Sequence, residues 1–195
     1  DNGQPPPGQP DVDEVSWQPC PELPEEAFGE LVGPAVVRQM TERMTYECAT
    51  IEVPQNWAEP DGPTFDVAIS RARHQDQSDR IGSLVINPGG PGASGVDTSV
   101  FLTVHMFGLP EQVLQRFDVV GFDPRGVARS SPVECTPDEE LDEMFGADPD
   151  PVSEQEFAEA LADSERNAQR CGDKYGESLQ FYSTHQTAYD LDAIR

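Results

Sequence analysis

The sequence predicts a mixed α/β fold, and three observations carry that reading. Tyr46–Val53 and Thr64–Arg73 are rich in strand formers, and the second sets Phe65, Val67 and Ile69 against polar neighbours, as a half-buried strand does. Gly82–Asn87 and Phe117–Phe122 are short and apolar at successive positions, the pattern of strands buried on both faces. Val96–Arg116 between them is long enough for a helical crossover. The order is therefore strand, strand, strand–loop–helix, strand, which opens an α/β sheet.

Asp1–Glu14 is a Pro/Gln/Gly-rich run that cannot build a core, so a flexible tail is expected ahead of a domain portion spanning 15–195. Tyr46–Val53 stops at Pro54, which lacks the N–H a ladder needs. Gly82–Asn87 empties into a turn, Pro88–Gly95, that holds four glycines and two prolines. Glycines let backbone N–H groups approach a ligand closely, and prolines hold the loop in one shape. A pre-set loop of unpaired donors suits the stabilisation of negative charge that develops during a reaction.

Glu134–Glu165 carries thirteen acidic residues and no Lys or Arg, within an acidic helical segment expected at about 134–172. Thr136-Pro137-Asp138-Glu139 reads as a capping box with Pro at the first helical position and Gly146 as its stop. A second helix starts at Ser153-Glu154-Gln155-Glu156. Phe157, Leu161, Ser164, Ala168 and Cys171 form its stripe, and Gly172 closes it. Arg166, Arg170 and Lys174 near its end complement the helix dipole. Thr184–Arg195 predicts a third helix with Ala188, Leu191 and Ile194 facing inward. Arg195 is followed by neither a Gly or Pro stop nor a strand, an odd place for a domain to finish.

The 195 residues carry a formal net charge of −25, with eleven arginines and one lysine, Lys174. That balance argues against nucleic acid as a partner, because phosphate binding needs a positive surface. No apolar run approaches the roughly 20 residues of a membrane span, so no transmembrane segment is expected. No signal peptide is visible, and an exported protein would begin after its removal. Cys20, Cys48, Cys135 and Cys171 show no C-x-x-C spacing and lie far from the three histidines, which argues against zinc. Their even count suggests two disulfides in an oxidising compartment. Four cysteines allow three connectivities; Cys20–Cys48 with Cys135–Cys171 is preferred because each pair brackets one subregion. Four free thiols in a cytosolic protein are the competing expectation.

Gly90-Pro91-Gly92-Ala93-Ser94-Gly95 formally matches G-x-G-x-x-G. A dinucleotide fingerprint would need a helix opening at the glycines and an acid at the end of the next strand. Pro91 sits inside the turn instead, and the nearest acids, Glu111 and Asp118, fall in the crossover and at the start of that strand. No Gly-Lys-Ser/Thr follows, so a P-loop fails as well. No metal or organic cofactor is expected. A tight glycine turn without chemistry is the plain alternative.

The second loop, Phe122-Asp123-Pro124-Arg125-Gly126-Val127-Ala128-Arg129-Ser130, follows its strand directly. Together Pro88-Gly89-Gly90-Pro91-Gly92 and Asp123–Ser130 resemble the α/β-hydrolase fold, and within it the proline iminopeptidase and tripeptidyl aminopeptidase family of serine peptidases. Ala128 stands where that family usually has glycine. Trp17–Cys20, Cys48–Pro54 and Tyr189–Arg195 are smaller echoes, most similar to the secreted actinobacterial tripeptidyl aminopeptidase branch. The resemblance implies the N-terminal half of a central, mostly parallel sheet, incomplete without the rest of the chain. It implies that Gly90 N–H supplies one arm of an oxyanion hole, with Gly89 and Pro91 shaping the loop. It further implies that Asp123 and Arg125 brace the glycine loop and the turn rather than touch substrate.

The same resemblance places the Ser, Asp and His of the triad after Tyr189–Arg195, and no G-x-S-x-G occurs in these residues. Ser94 and Ser130 are poor substitutes, having no His at a recognisable spacing. His74, His105 and His185 read as structural or solvated. The expected partners are the C-terminal remainder of the same enzyme, joined or clipped, and a peptide substrate. The expected activity is release of short peptides from free N-termini, which this chain alone should lack. An esterase or other hydrolase on the same fold, and a non-catalytic extracellular binding module, are the alternatives.

Overall fold

A computed structural model describes residues 15–77, 79–104, 108–146 and 150–195; the expected tail at Asp1–Glu14 and His105 lie outside the described residues. In chain order the elements are β1 (Gln18–Pro19), α1 (Leu23–Val32), α2 (Pro34–Arg43), β2 (Met44–Pro54), β3 (Thr64–His74), β4 (Gly82–Ile86), α3 (Gly95–Phe101), α4 (Glu111–Leu114), β5 (Phe117–Phe122), α5 (Asp138–Gly146), α6 (Glu154–Tyr175), a 3-10 turn (Gly176–Phe181) and α7 (Thr184–Ile194). They fall into two compact units. One runs to Pro132 and resumes at Thr184–Arg195; the other is Val133–Ser183.

The first unit holds a five-stranded sheet in the order β1-β2-β3-β5-β4. Only β4 and β5 pair in parallel; the other three pairings are antiparallel. The sheet is therefore mixed, and the expected parallel majority is not met among the described strands. The connection sets this: β2 and β3 are joined by a short link and pair as a hairpin, whereas β4 and β5 are joined through α3 and α4, the crossover a parallel pair needs. β4 closes the edge of the sheet, so it is half-exposed rather than buried on both faces, while interior β5 is buried from Asp118 to Phe122.

The register aligns Tyr46, Ala72 and Val119 across three strands. They share a buried cluster with Leu23, Met40, Val96, Val100 and Leu114, so α1 to α4 cover one sheet face. Helices α1 and α2 are additions to the expected elements. Each has Pro in its first turn, where the missing N–H costs nothing, and Gly33 at φ 77° makes the corner between them. Helix α3 lies directly on β5. A Cβ at Gly95 would collide with the Phe122 carbonyl, and one at Gly121 with the Gly95 carbonyl. Two side-chain-free residues thus set the depth at which this helix docks.

In the second unit, α6 is opened by a complete capping box of Ser153 and Glu156. It runs through Gly172 to Tyr175, and Gly176 ends it at φ 54°. Within the unit its apolar stripe is not buried: Phe157 and Leu161 are 61% and 51% exposed. Helix α5 begins at Asp138, and the Thr136 hydroxyl donates to Asn167 Oδ1 at 2.9 Å. Arg170 clasps Glu140 with two bonds of 2.7 and 2.8 Å, which hold the Glu140 carboxyl below its ordinary pKa. Disulfides close Cys20–Cys48 in the first unit and Cys135–Cys171 in the second, and no described cysteine is free. Among the described residues no helix is long and apolar enough to cross a membrane.

Candidate functional site

Because β4 and β5 are parallel neighbours, with Ile86 paired to Gly121, the loops leaving them emerge at the same end of the sheet. The glycine loop leaves β4. Gly89, Gly90 and Gly92 hold φ of 80°, 118° and 93°, a range that glycine alone adopts freely, and the Gly90–Pro91 peptide is cis. Gly89 N donates to Asn87 Oδ1 at 3.3 Å, and Ala93 N donates to Gly89 O at 3.3 Å, closing the bend. Gly89, Gly90 and Pro91 are exposed. Among the described residues, Gly90 N–H donates to no protein acceptor.

The turn leaving β5 grips the far end of that loop through Asp123, which is fully buried. Its Oδ1 accepts from Ser94 Oγ at 2.6 Å and from Val96 N at 3.1 Å; its Oδ2 accepts from Arg129 N at 3.1 Å. Ser94 Oγ in turn accepts from Asp97 N at 3.0 Å, so one hydroxyl caps α3 while bonded to the carboxylate of the neighbouring loop. Arg129 adds a bond to Asp97 Oδ1 at 2.9 Å.

Arg125 has other work. Its Nε and Nη2 meet Asp190 Oδ2 and Oδ1 at 2.7 and 2.5 Å, and Nη1 and Nη2 donate to Gln55 O and Pro54 O at 2.7 and 3.0 Å. Both side chains of this ion pair are wholly buried. Trp57 Nε1 donates to Asp190 Oδ1 at 2.8 Å. These bonds of Arg125 tie the end of β2 to α7. Asp190 is the residue that sequence reasoning missed; the Tyr189–Arg195 echo was its only signal. Its burial also resets the helix. Asp190, Ala193 and Ile194 are the buried positions of α7, while Ala188 is exposed and Leu191 half-buried.

The other candidates are engaged elsewhere. Ser130 is buried and its Oγ accepts from Ala68 N at 2.8 Å. His74 Nε2 shares a 2.7 Å hydrogen bond with Glu111 Oε1, and His185 is exposed, edge-on to Tyr189. Among the described residues no group of three or more His, Cys, Asp or Glu could hold a metal ion.

No family model matches the chain. Known proteins are similar to it, among them the three that follow. Serine protease Hip1 of Mycobacterium tuberculosis is 41% identical over 152 residues, 76% of this chain and 28% of that protein. Tripeptidyl aminopeptidase of Streptomyces lividans is 35% identical over 150 residues, again 76% and 28% of the two lengths. Carboxylesterase B of Mycobacterium tuberculosis is 33% identical over 195 residues, 97% of this chain and 34% of that protein. The chain thus spans about a third or less of the length of these relatives.

Proposed function

We infer, from the premise that this chain belongs to the actinobacterial family of serine protease Hip1 and tripeptidyl aminopeptidase, that it is the N-terminal portion of a secreted serine aminopeptidase of α/β-hydrolase fold. The observation that carries the reading is the pairing of two loops at one sheet end, where Asp123 holds Ser94 and the exposed residue Gly90 has, among the described residues, no acceptor for its N–H. A rigid, unspent donor is what a developing oxyanion needs.

In the full protein a serine hydroxyl, supplied by chain outside these residues, attacks the carbonyl carbon of the substrate. The C–O bond forms as His takes the proton, and the carbonyl π pair moves onto oxygen. Gly90 N–H and the N–H after the nucleophile share that charge. Collapse breaks the C–N bond, the amine leaves with the proton from His, and water then frees the acyl peptide. Asp123 keeps the loop in place, and Gly89 and Pro91 shape it. The free edge of β4 receives a further strand from the same enzyme. The two disulfides support export to an oxidising compartment.

Peptide-nitroanilides with free N-termini, offered to the full-length protein or to these 195 residues supplied with the remainder, should be hydrolysed, and the 195 residues alone should be inert. Absence of turnover on any amide or ester by the reconstituted protein would overturn the enzyme reading. The relative named carboxylesterase B supports a second reading, in which esters are the substrates. The ratio of kcat/KM for aminoacyl amides and simple esters separates the two.

A further inference from the structure

We propose that Ser94 is a positioning residue for Gly90 N–H, holding the glycine loop to the buried carboxylate of Asp123; the proposal rests on the reading of Gly90 given above. The loop has little internal fastening. Its two described bonds between Asn87 and Ala93 are both 3.3 Å long. Whatever shape its prolines and glycines give it, the loop is therefore anchored by its ends. One end is β4, paired to β5 up to Ile86. The other is Ser94, four residues beyond Gly90, where the bonds are dense and short. Ser94 Oγ donates to Asp123 Oδ1 at 2.6 Å and accepts from Asp97 N at 3.0 Å, and Ser94 O accepts from Thr98 Oγ1 at 2.7 Å and Thr98 N at 3.1 Å.

The bond to Asp123 has the length of a charge-assisted O–H···O⁻ contact, among the stronger hydrogen bonds available to a side chain. Its acceptor cannot drift, because Asp123 is fully buried, begins the turn directly after β5 and donates its own N–H to Ala68 O at 3.0 Å. Rigidity passes from β5 through Asp123 to Ser94, and from Ser94 through the Gly89–Ala93 bend to Gly90. Only a hydroxyl can do this, since one oxygen must donate to the carboxylate while accepting from the helix. A donor displaced by even 1 Å loses much of its value in the transition state and little in the ground state.

Two measurements test this. In the full-length protein, backbone order parameters by ¹⁵N relaxation should fall across Gly89–Ala93 in Ser94→Ala and stay near wild type in Ser94→Thr. Unchanged values in Ser94→Ala overturn the proposal. In the full-length protein, Ser94→Ala should lower kcat about 10- to 100-fold with KM within about twofold, and Ser94→Thr should recover most of the loss. A peptide aldehyde, whose adduct carries the oxyanion, should weaken in step with kcat. Loosening in the relaxation data without a kcat effect sinks the assignment of Gly90 as the donor, and the catalytic role of Ser94 with it. A loss of kcat that only follows the fraction unfolded counts against the proposal as well. If Ser94→Ala fails to fold, Thr98→Val, which deletes only the side-chain bond to Ser94 O, repeats both measurements with a smaller expected effect.

Discussion

Burial makes Tyr46 a pH-sensitive part of the core. Its hydroxyl shares a 2.8 Å bond with Thr103 Oγ1, and desolvation pushes its pKa up to about 12 despite that bond and the Arg43 charge. An unfolded chain releases the same proton near pH 10. The neutral form is therefore favoured by folding, and its contribution, complete below pH 10, is lost as pH rises towards 12. The loss is roughly 3 kcal/mol at the upper limit. Urea titrations at pH 9, 10 and 11 should show this slope in wild type and a flatter profile in Tyr46→Phe; equal slopes would remove Tyr46 as the cause. Asp123 and Asp190 meet burial in another way, each carboxylate being surrounded by hydrogen-bond donors. One acid serves a loop, the other a helix.

Helix α7 shows what a buried ion pair does for an element. Its own face offers few apolar residues, so the Arg125–Asp190 clasp and the Trp57 bond locate it against the end of β2. Asp190→Asn keeps the shape but leaves the Arg125 charge buried without its counter-ion, which should cost about 3–5 kcal/mol. Thermal or urea unfolding reads this directly, and a loss below about 1 kcal/mol would contradict the clasp. The four main strands were legible in the sequence because alternation and short apolar runs are local signals: Phe65, Val67 and Ile69 are all buried. The glycine loop was legible for the same reason. The partnership of Arg125 with Asp190, separated by 65 residues, was not, because nothing local in either segment encodes which distant charge it will meet. Helices α1 and α2 were hidden by Pro24, Gly33 and Pro34 at their ends and by Gly29 inside α1, residues that read as breaks in a helical pattern. The stripe of α6 was readable as a stripe, but its exposure was not, since periodicity says which residues share a face and nothing of what covers it.

At the scale of the molecule, the chain carries a −25 charge, and among the described residues the last strand of its sheet has a neighbour on one side only. Like-charge repulsion keeps such chains apart at low ionic strength, and added salt screens it, so salt should reveal any tendency of the bare edge to associate. The bare edge also has a finer signature. Ile81 N donates to Arg116 O at 2.7 Å, and β4 runs parallel to β5. In such a pairing alternate residues turn their amides to the same side, so along Gly82–Ile86 every other amide faces β5 and those between face away. Hydrogen–deuterium exchange on the 195 residues should therefore alternate between slow and fast from one residue to the next along Gly82–Ile86. Uniformly slow exchange would mean that another segment already covers the strand. One short stretch of polypeptide should thus label at two tempos, and the day its quick positions fall into step with the slow ones marks the arrival of whatever lies down beside it.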